Sequence, residues 1–230
     1  MGTKVVEVKP RMSLNFEASH TAYHTKDGAR VPSVTTVLGL INKPYLLNWA
    51  WDLGTQGIDF QAARQKAADI GTIAHALCEA HLRGMELDRG NLPPDKLSMA
   101  ENGFGRFLEW WDGQGFAVLH TELKMVSELH RVGGTLDVMA RRLQNGKLAL
   151  VDIKTSKGIY DEMLIQVATY AAIYEECYGE VVEDCFIVRI GKEEGDDVEV
   201  RRVTKRPERL EAFLALLNAR KKLQATGMKV

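Results

Sequence analysis

Residues 132–154 have the sequence VGGTLDVMARRLQNGKLALVDIK. Two stretches rich in apolar residues lie on either side of Asn145-Gly146, which is the strongest short signal for a two-residue type I′ turn. The pattern predicts an antiparallel hairpin with Asn145-Gly146 as its loop, so that Gln144 faces Lys147 across the turn.

The acids and the lysine of this hairpin are expected to come together. Counting back from the turn sets Asp137 opposite Lys154 and places Asp152 on the neighbouring diagonal. Because side chains alternate between the two faces of a strand, Asp137, Asp152 and Lys154 then share one face. Val151 and Ile153 point the other way, into the core. The hairpin therefore collects two carboxylates and one ammonium group on one surface.

This charged cluster has two interpretations. One is a surface salt bridge between Lys154 and Asp137, which is what most cross-strand charge pairs are and which is worth only about 0–1 kcal/mol. The other is a metal site, because two neighbouring carboxylates repel each other unless a cation lies between them. Oxygen ligands of this kind suit magnesium or manganese. The repulsion favours the metal site, and the expected cofactor is Mg2+ or Mn2+.

Five short motifs follow one another along the chain: Pro32-Ser33-Val34-Thr35, Gly71-Thr72-x-x-His75, Gly134-Thr135-Leu136-Asp137, Asp152-Ile153-Lys154, and Gln166 with Tyr170 four residues later. Together they resemble the RecB-like branch of the PD-(D/E)XK nucleases, in which the acidic motif on the first strand is commonly Gly-Thr-x-Asp. The same order is seen in mitochondrial genome maintenance exonuclease and in phage exonuclease-like proteins. The resemblance covers roughly residues 23–174.

The resemblance implies an α/β fold with a restriction-endonuclease-like core, in which helices flank a central mixed β-sheet, and a helical N-terminal region. The hydrophobic pattern agrees, because it predicts further strands at 116–128, 184–190 and 198–203 and an apolar covering helix at 160–178. We expect a single nuclease domain over residues 1–230. Its parts are an N-terminal hairpin and helical region at 1–115, a catalytic sheet and helix at 116–206, and a C-terminal helix at 207–230.

The resemblance also implies metal-dependent hydrolysis of DNA phosphodiester bonds in replication, recombination or repair. The expected partner is DNA, either single-stranded or as duplex ends. An exonuclease is favoured, because the closest resemblances are exonucleases. A metal-dependent endonuclease of the same fold and a non-catalytic DNA-binding subunit are the alternatives. Polarity, strandedness and the number of metal ions stay open.

The matching positions of that family give each candidate residue an expected role. Lys154 would orient the attacking water or stabilise the transition state. Gln166 and Tyr170 share one stripe of a helix and would hold a water or a phosphate oxygen. The expected metal ligands are His75, Asp137, Asp152 and the carbonyl group of Ile153. The expected catalytic residues are Asp137, Asp152, Lys154, Gln166 and Tyr170.

Several of these residues and their neighbours have a second interpretation. Without the resemblance, His75 would be an ordinary helix residue, and Glu79 can pair with Arg83 as well as reach the site. Glu122 is either an accessory acid or part of a solvated strand face. Lys157 either binds a phosphate or is a surface lysine.

Composition limits the class of protein. With 230 residues and 45% hydrophobic content, the chain can bury one substantial core. It has no apolar run near the roughly 20 residues that span a bilayer and no signal-peptide core, so we expect an intracellular, cytoplasmic protein without a membrane partner. Cys78, Cys177 and Cys185 are too few for the four-cysteine cluster of the family's iron–sulfur branch and are expected to be buried.

Charge is distributed unevenly although the net charge is only −1. Residues 175–199 carry a net charge of −8, and residues 201–230 carry +7. The basic stretch is either a phosphate-binding surface or a solvated helix face. The first interpretation predicts phosphate contacts from Arg201, Arg202, Lys205 and Arg206.

The N-terminal region carries weaker signals. A short strand is predicted at Val5–Val8, and a hairpin is predicted over Tyr23–Val34 with its turn at residues 26–28. Trp49 and Trp51 are expected to be core residues rather than platforms for base stacking.

Overall fold

A five-stranded sheet lies at the centre of the protein, and helices cover both of its faces. The computed structural model describes residues 9–14 and 22–230. Within these residues the strands are β1 (Arg11–Met12), β2 (Tyr23–His24), β3 (Arg30–Val31), β4 (Glu86–Leu87), β5 (Phe116–Ser127), β6 (Val132–Arg142), β7 (Leu148–Lys154), β8 (Val182–Ile190) and β9 (Val198–Arg202). The helices are α1 (Val34–Leu38), α2 (Pro44–Thr55), α3 (Phe60–Leu82), α4 (Pro94–Trp111), α5 (Asp161–Tyr178) and α6 (Arg206–Ala225).

The central sheet is mixed. Its strand order is β5-β6-β7-β8-β9, and the pair β7-β8 is parallel while the others are antiparallel. Parallel neighbours need a crossover connection, and α5 provides it. Helices α1, α5 and α6 bury one face of the sheet around Leu150 and Phe213, and α3 and α4 bury the other around Val151 and Phe107. These layers confirm the predicted α/β fold with a central mixed sheet, flanking helices and a helical N-terminal region.

The β6–β7 hairpin has a register two residues away from the predicted one. Arg142 N–H bonds to the Lys147 carbonyl, so the loop holds four residues, 143–146, instead of two. Gly146 has φ +73 and donates its N–H to the Arg142 carbonyl, while the Asn145 side chain accepts the Lys147 N–H. The two-residue type I′ prediction was wrong, because Asn145 is outside the left-handed region and glycine alone closes this wider loop.

The new register changes the partner of Asp137 but not its face. Continuing from the last observed pair places Asp137 opposite Asp152 rather than opposite Lys154. A shift of two residues keeps every side chain on its predicted face, because strands have a period of two. That face is not an open surface, however. Asp152 is 1% exposed, on the side of β7 that also carries Leu150 of the α5 core.

The N-terminal expectations have mixed outcomes. Strands β2 and β3 confirm the predicted hairpin between Tyr23 and Val34. The core assignment of Trp51 was wrong, since this side chain is 74% exposed. Trp49 packs edge-on against the Phe60 ring and is half-buried. The predicted strand at Val5–Val8 lies outside the described residues.

Two expectations from composition can be compared with the structure. Cys78 and Cys185 are buried as expected, whereas Cys177 is exposed, and all three are free thiols. Across residues 9–14 and 22–230, no helix combines the length and the apolar character needed to cross a membrane.

Candidate metal centre

The candidate site lies where strands β6 and β7 separate. The last pair of their ladder in this direction is Val138 with Val151. One step further, the side chain of Asp137 takes the place of a backbone partner, and its Oδ2 accepts a hydrogen bond from the Ile153 N–H at 2.6 Å. The carboxyl groups of Asp137 and Asp152 therefore meet where the two strands open.

Asp152 is a buried carboxyl group with too few partners. Its Oδ2 lies 2.5 Å from the Lys154 ammonium nitrogen. Lys154 is thus an ion-pair partner of Oδ2, but no hydrogen bond of regular geometry reaches this oxygen among the described residues. Burial raises the pKa of Asp152 to about 6; Lys154 opposes this shift and Asp137 adds to it. Buried polar atoms in proteins are nearly always paired, so this oxygen fits a position that a cation completes.

Helix α3 brings His75 to the same place. His75 Nδ1 lies 3.6 Å from Asp137 Oδ1. The approach depends on Gly71, one turn earlier, because a Cβ atom there would lie 2.8 Å from Thr155 Oγ1, just beyond the end of β7. Glycine at that position lets α3 cross the end of β7 and bring its histidine to Asp137.

Strand β5 supplies Glu122. A bulge after Val118 shifts the pairing of β5 with β6, and Glu122 itself has φ +47, in the left-handed region. The pairs on either side of it place Glu122 opposite Asp137. Ligand atoms of His75, Glu122 and Asp137 all lie within 4.8 Å of one another. Of the two interpretations given for Glu122, the accessory acid therefore fits its position, within a group of potential metal ligands.

The candidate ligands that lie together in the structure differ from the set expected from the sequence. His75 and Asp137 lie together as expected and Glu122 joins them, whereas Asp152 contacts Lys154. Carboxylate oxygens and an imidazole nitrogen are donors that suit a divalent metal ion. The residues present therefore fit such an ion.

The charges of the centre influence one another. Burial opposes ionisation of Asp137, but His75 and Lys154 outweigh it and hold the pKa of Asp137 below its usual value. Burial also opposes the charges of His75 and Lys154, yet the surrounding acids raise both pKa values. Loss of hydration in the cleft and the charge of Asp137 raise the pKa of Glu122 to about 7. The cluster thus holds more acidic groups than its own cations balance, and a further cation would relieve this.

Two aromatic rings lie directly against the backbone of β6. A Cβ atom at Gly134 would overlap the Tyr170 ring, and one at Gly133 would overlap the Tyr23 ring. Gln166 Nε2 donates a hydrogen bond to the Tyr170 hydroxyl at 3.1 Å. Burial raises the pKa of Tyr170, so the phenol keeps its proton. The two glycines therefore let the polar pair of Gln166 and Tyr170 approach the strand that carries Asp137.

Most of the other charged residues singled out in the sequence pair with a residue of opposite charge. Glu79 pairs with Arg83 at 3.0 Å, which is the alternative given for it above. Lys157 is exposed on the turn after β7. In the basic stretch, Arg201 pairs with Glu199 at 3.0 Å, Arg202 with Asp184 at 2.6 Å and Arg206 with Glu175 at 3.1 Å. The phosphate contacts of this stretch stay a prediction, in competition with these ion pairs.

Comparisons with known proteins give fold-level likenesses. No family model matches the sequence, and no curated protein matches it significantly. An inferred exonuclease from Eubacterium rectale is 14% identical, with 70% of this chain and 69% of that chain covered and a TM-score of 0.49. An alkaline exonuclease from Laribacter hongkongensis is 16% identical, with 70% and 90% covered and a TM-score of 0.34, and its complex with dAMP is 17% identical with a TM-score of 0.35. All these TM-scores are below 0.5, so these likenesses carry no argument about activity.

Proposed function

We propose that the chain is a metal-dependent deoxyribonuclease that hydrolyses phosphodiester bonds at DNA ends. One observation carries the proposal: the buried Asp152 carboxyl group, with an oxygen that lacks a hydrogen-bond donor, lies beside Lys154 and opposite Asp137. His75 and Glu122 converge on the same opening between strands. This combination of acids, imidazole and ammonium fits phosphodiester hydrolysis better than a structural salt bridge, which needs only one acid and one cation.

The metal ligands in this proposal are His75, Glu122 and Asp137, together with Asp152 and the Ile153 carbonyl group expected from the sequence. A divalent ion bound there would lower the pKa of a water molecule and neutralise charge on the scissile phosphate. Asp137 is already suited to this role, because its pKa is lowered and the Ile153 N–H fixes the direction of its carboxylate.

The remaining residues would position the substrate and stabilise charge. Lys154 stays protonated, so it can donate a hydrogen bond to the attacking water or to a phosphate oxygen. Tyr170 keeps its proton and is held by Gln166, so its hydroxyl can donate to a phosphate oxygen. Lys157 is exposed beside the opening, where a cation attracts phosphate.

The deciding experiment is cleavage of labelled linear and circular single-stranded DNA with manganese, with magnesium or with EDTA. We expect linear DNA to be degraded with metal and to stay intact in EDTA, and circular DNA to resist. The site variant is Asp137→Asn. The matched control is Asp95→Asn, which changes an exposed acid of α4 that pairs with Lys66.

Each alternative gives a different result. Cleavage of circular DNA would indicate an endonuclease of the same fold. DNA binding without cleavage in either metal would indicate a non-catalytic binding subunit. Equal activity of Asp137→Asn and wild-type protein would remove the proposed centre from the reaction.

A further inference from the structure

Helix α2 exposes apolar side chains that the core does not cover. Within this described helix no residue is buried. Leu47 is 68% exposed and Trp51 is 74% exposed, and they lie one turn apart on the same face. Ile58, just beyond the helix, is 45% exposed. Single exposed apolar residues are ordinary, but a tryptophan and a leucine side by side on a helix without a packed face indicate a surface for a ligand.

Two aromatic contacts connect α2 to elements of the metal centre. Near the start of α2, the Tyr45 ring stacks on Tyr160, immediately before α5, with 3.8 Å between ring centroids. Near the middle of α2, Trp49 packs against Phe60, the first residue of α3, and α3 carries His75. Helix α2 therefore runs between the two helices whose side chains surround the site.

A shallow polar groove lies on the exposed face of α3. The face of α3 that lines this groove continues to Thr72 and His75. These two residues lie about 20 Å further along the axis of α3 than Phe60 does. The one charged side chain of the groove is that of Arg64, which is exposed. A cavity of about 300 Å³ is lined by Gln61, Arg64, Gln65 and Ala68.

We propose that α2 and this groove bind single-stranded DNA, with unpaired bases stacked on Trp51 and the sugar–phosphate backbone following α3 to the metal centre. The inference rests on the proposed nuclease function and adds the substrate class. An exposed indole suits any unpaired base, because every base has an aromatic face, and Arg64 with its polar neighbours suits phosphate oxygens. A second copy of the chain docking through apolar contacts would cover Leu47 and Trp51 but leave the polar groove without a partner.

The proposed surface should distinguish single-stranded DNA from duplex DNA. Bases in a duplex are stacked on one another, so they cannot stack on Trp51 without being separated, which costs free energy. The surface therefore favours unpaired strands over paired ones.

The test measures binding of a fluorescently labelled single-stranded oligonucleotide and of the matching duplex, by anisotropy in EDTA. Trp51→Ala should raise the Kd for the single strand by about 5- to 150-fold, the range for loss of one stacked base, with little change for the duplex. Trp51→Phe should keep most of the affinity. The control is Leu143→Ala, which removes a side chain that is 74% exposed in the loop before β7.

Several outcomes would overturn the proposal. Unchanged single-strand affinity in Trp51→Ala would do so, and so would equal weakening for single strand and duplex. If light scattering showed that Trp51→Ala turns a dimer into a monomer while DNA affinity stays the same, the surface would belong to a second copy of the chain.

The two functional proposals can fail separately. Wild-type protein that binds single strands through Trp51 but cleaves no DNA with manganese would refute the nuclease and keep this inference. If wild-type protein and Trp51→Ala both cleave DNA and bind single strands equally well, this inference is refuted and the nuclease is kept.

Discussion

Asp152 and Asp184 are buried acids on neighbouring parallel strands, yet their surroundings differ. Asp184 receives hydrogen bonds on both oxygens, from Arg142 at 3.0 Å and from Arg202 at 2.6 Å. Asp152 has Lys154 beside it and one oxygen without a hydrogen-bond donor. A fully paired buried acid stabilises the fold, whereas an incompletely paired one costs stability and marks a place where a ligand binds. One sheet thus contains a structural carboxylate and a candidate functional carboxylate.

The largest effect that separates the two acids should be on catalysis. Asp152→Asn or Asp137→Asn should lower the single-turnover rate by about 10³-fold or more, because several kcal/mol of charge stabilisation depend on a bound cation. Calorimetric titration with manganese should show weaker binding. Asp184→Asn is the matched control and should change neither quantity. An equal loss of rate in Asp184→Asn would end the distinction between the two acids.

The partner of Asp152 should have a kinetic role that the partners of Asp184 do not have. Lys154→Ala should lower kcat and kcat/KM together by about 10²–10³-fold while metal affinity stays largely intact, as expected for a contact made in the transition state. If Lys154 were only a salt-bridge partner, this variant would have a lower Tm and a single-turnover rate near wild type. Both quantities can be measured on one preparation.

Substitutions at His75 and Glu122, the other two candidate ligands, should have smaller effects. His75→Ala and Glu122→Gln should each weaken manganese affinity by about 10–100-fold. Glu79→Gln is the control, since Glu79 lies one turn from His75 but pairs with Arg83. A structure with manganese then distinguishes direct from indirect effects. Nitrogen ligands bind metals of this size at about 2.0–2.2 Å, so a much longer distance to His75 would exclude it as a ligand.

Asp184, the structural acid, should affect stability rather than catalysis. Asp184→Asn should lower the free energy of unfolding by about 1–3 kcal/mol, because two arginines lose a charged partner at the edge of the core. Asp95→Asn, at an exposed ion pair, should leave it nearly unchanged. Urea unfolding of both variants provides the measurement. A stability loss of similar size in the two would mean that the pairing around Asp184 contributes nothing beyond a surface contact.

Much of this arrangement could be predicted from the sequence because strand patterns have a period of two. The predicted register paired each β6 residue with a β7 residue two positions too late, yet Asp137 and Asp152 still share a face, since an even shift preserves faces. Gly134 also carried a signal, because it gives Tyr170 the room to reach β6. Patterns in neighbouring residues thus recovered the sheet and the pair of acids.

The sequence could not show features that depend on packing between distant elements. The role of Glu122 follows from a bulge and a left-handed residue in β5, and a pattern of apolar and polar residues does not reveal either. Trp51 is exposed because no residue of α2 is buried, whereas the apolar character of tryptophan favoured a core position. Burial of Asp152 depends on α5, which lies beyond the hairpin in the chain.

The smallest expected effect concerns the pH dependence of stability in the metal-free protein. In the folded protein the pKa of Asp152 is raised from 3.8 to about 6. The folded state therefore binds this proton more tightly than the unfolded chain does, so the contribution of Asp152 to the unfolding free energy rises as the pH falls through 6 towards 3.8. Asp152→Asn removes the titrating group and should make stability depend less on pH over this range.

Urea unfolding in EDTA, above and below pH 6, tests this expectation. The pKa of Glu122 is raised, like that of Asp152, whereas the pKa of Asp137 is lowered. The informative quantity is therefore the difference between Asp152→Asn and wild type in the slope of stability against pH. Manganese should reduce that difference, because a bound cation favours the ionised carboxylate. Identical slopes in the metal-free proteins would show that Asp152 ionises in the core without cost, and its incomplete pairing would then no longer distinguish it from Asp184.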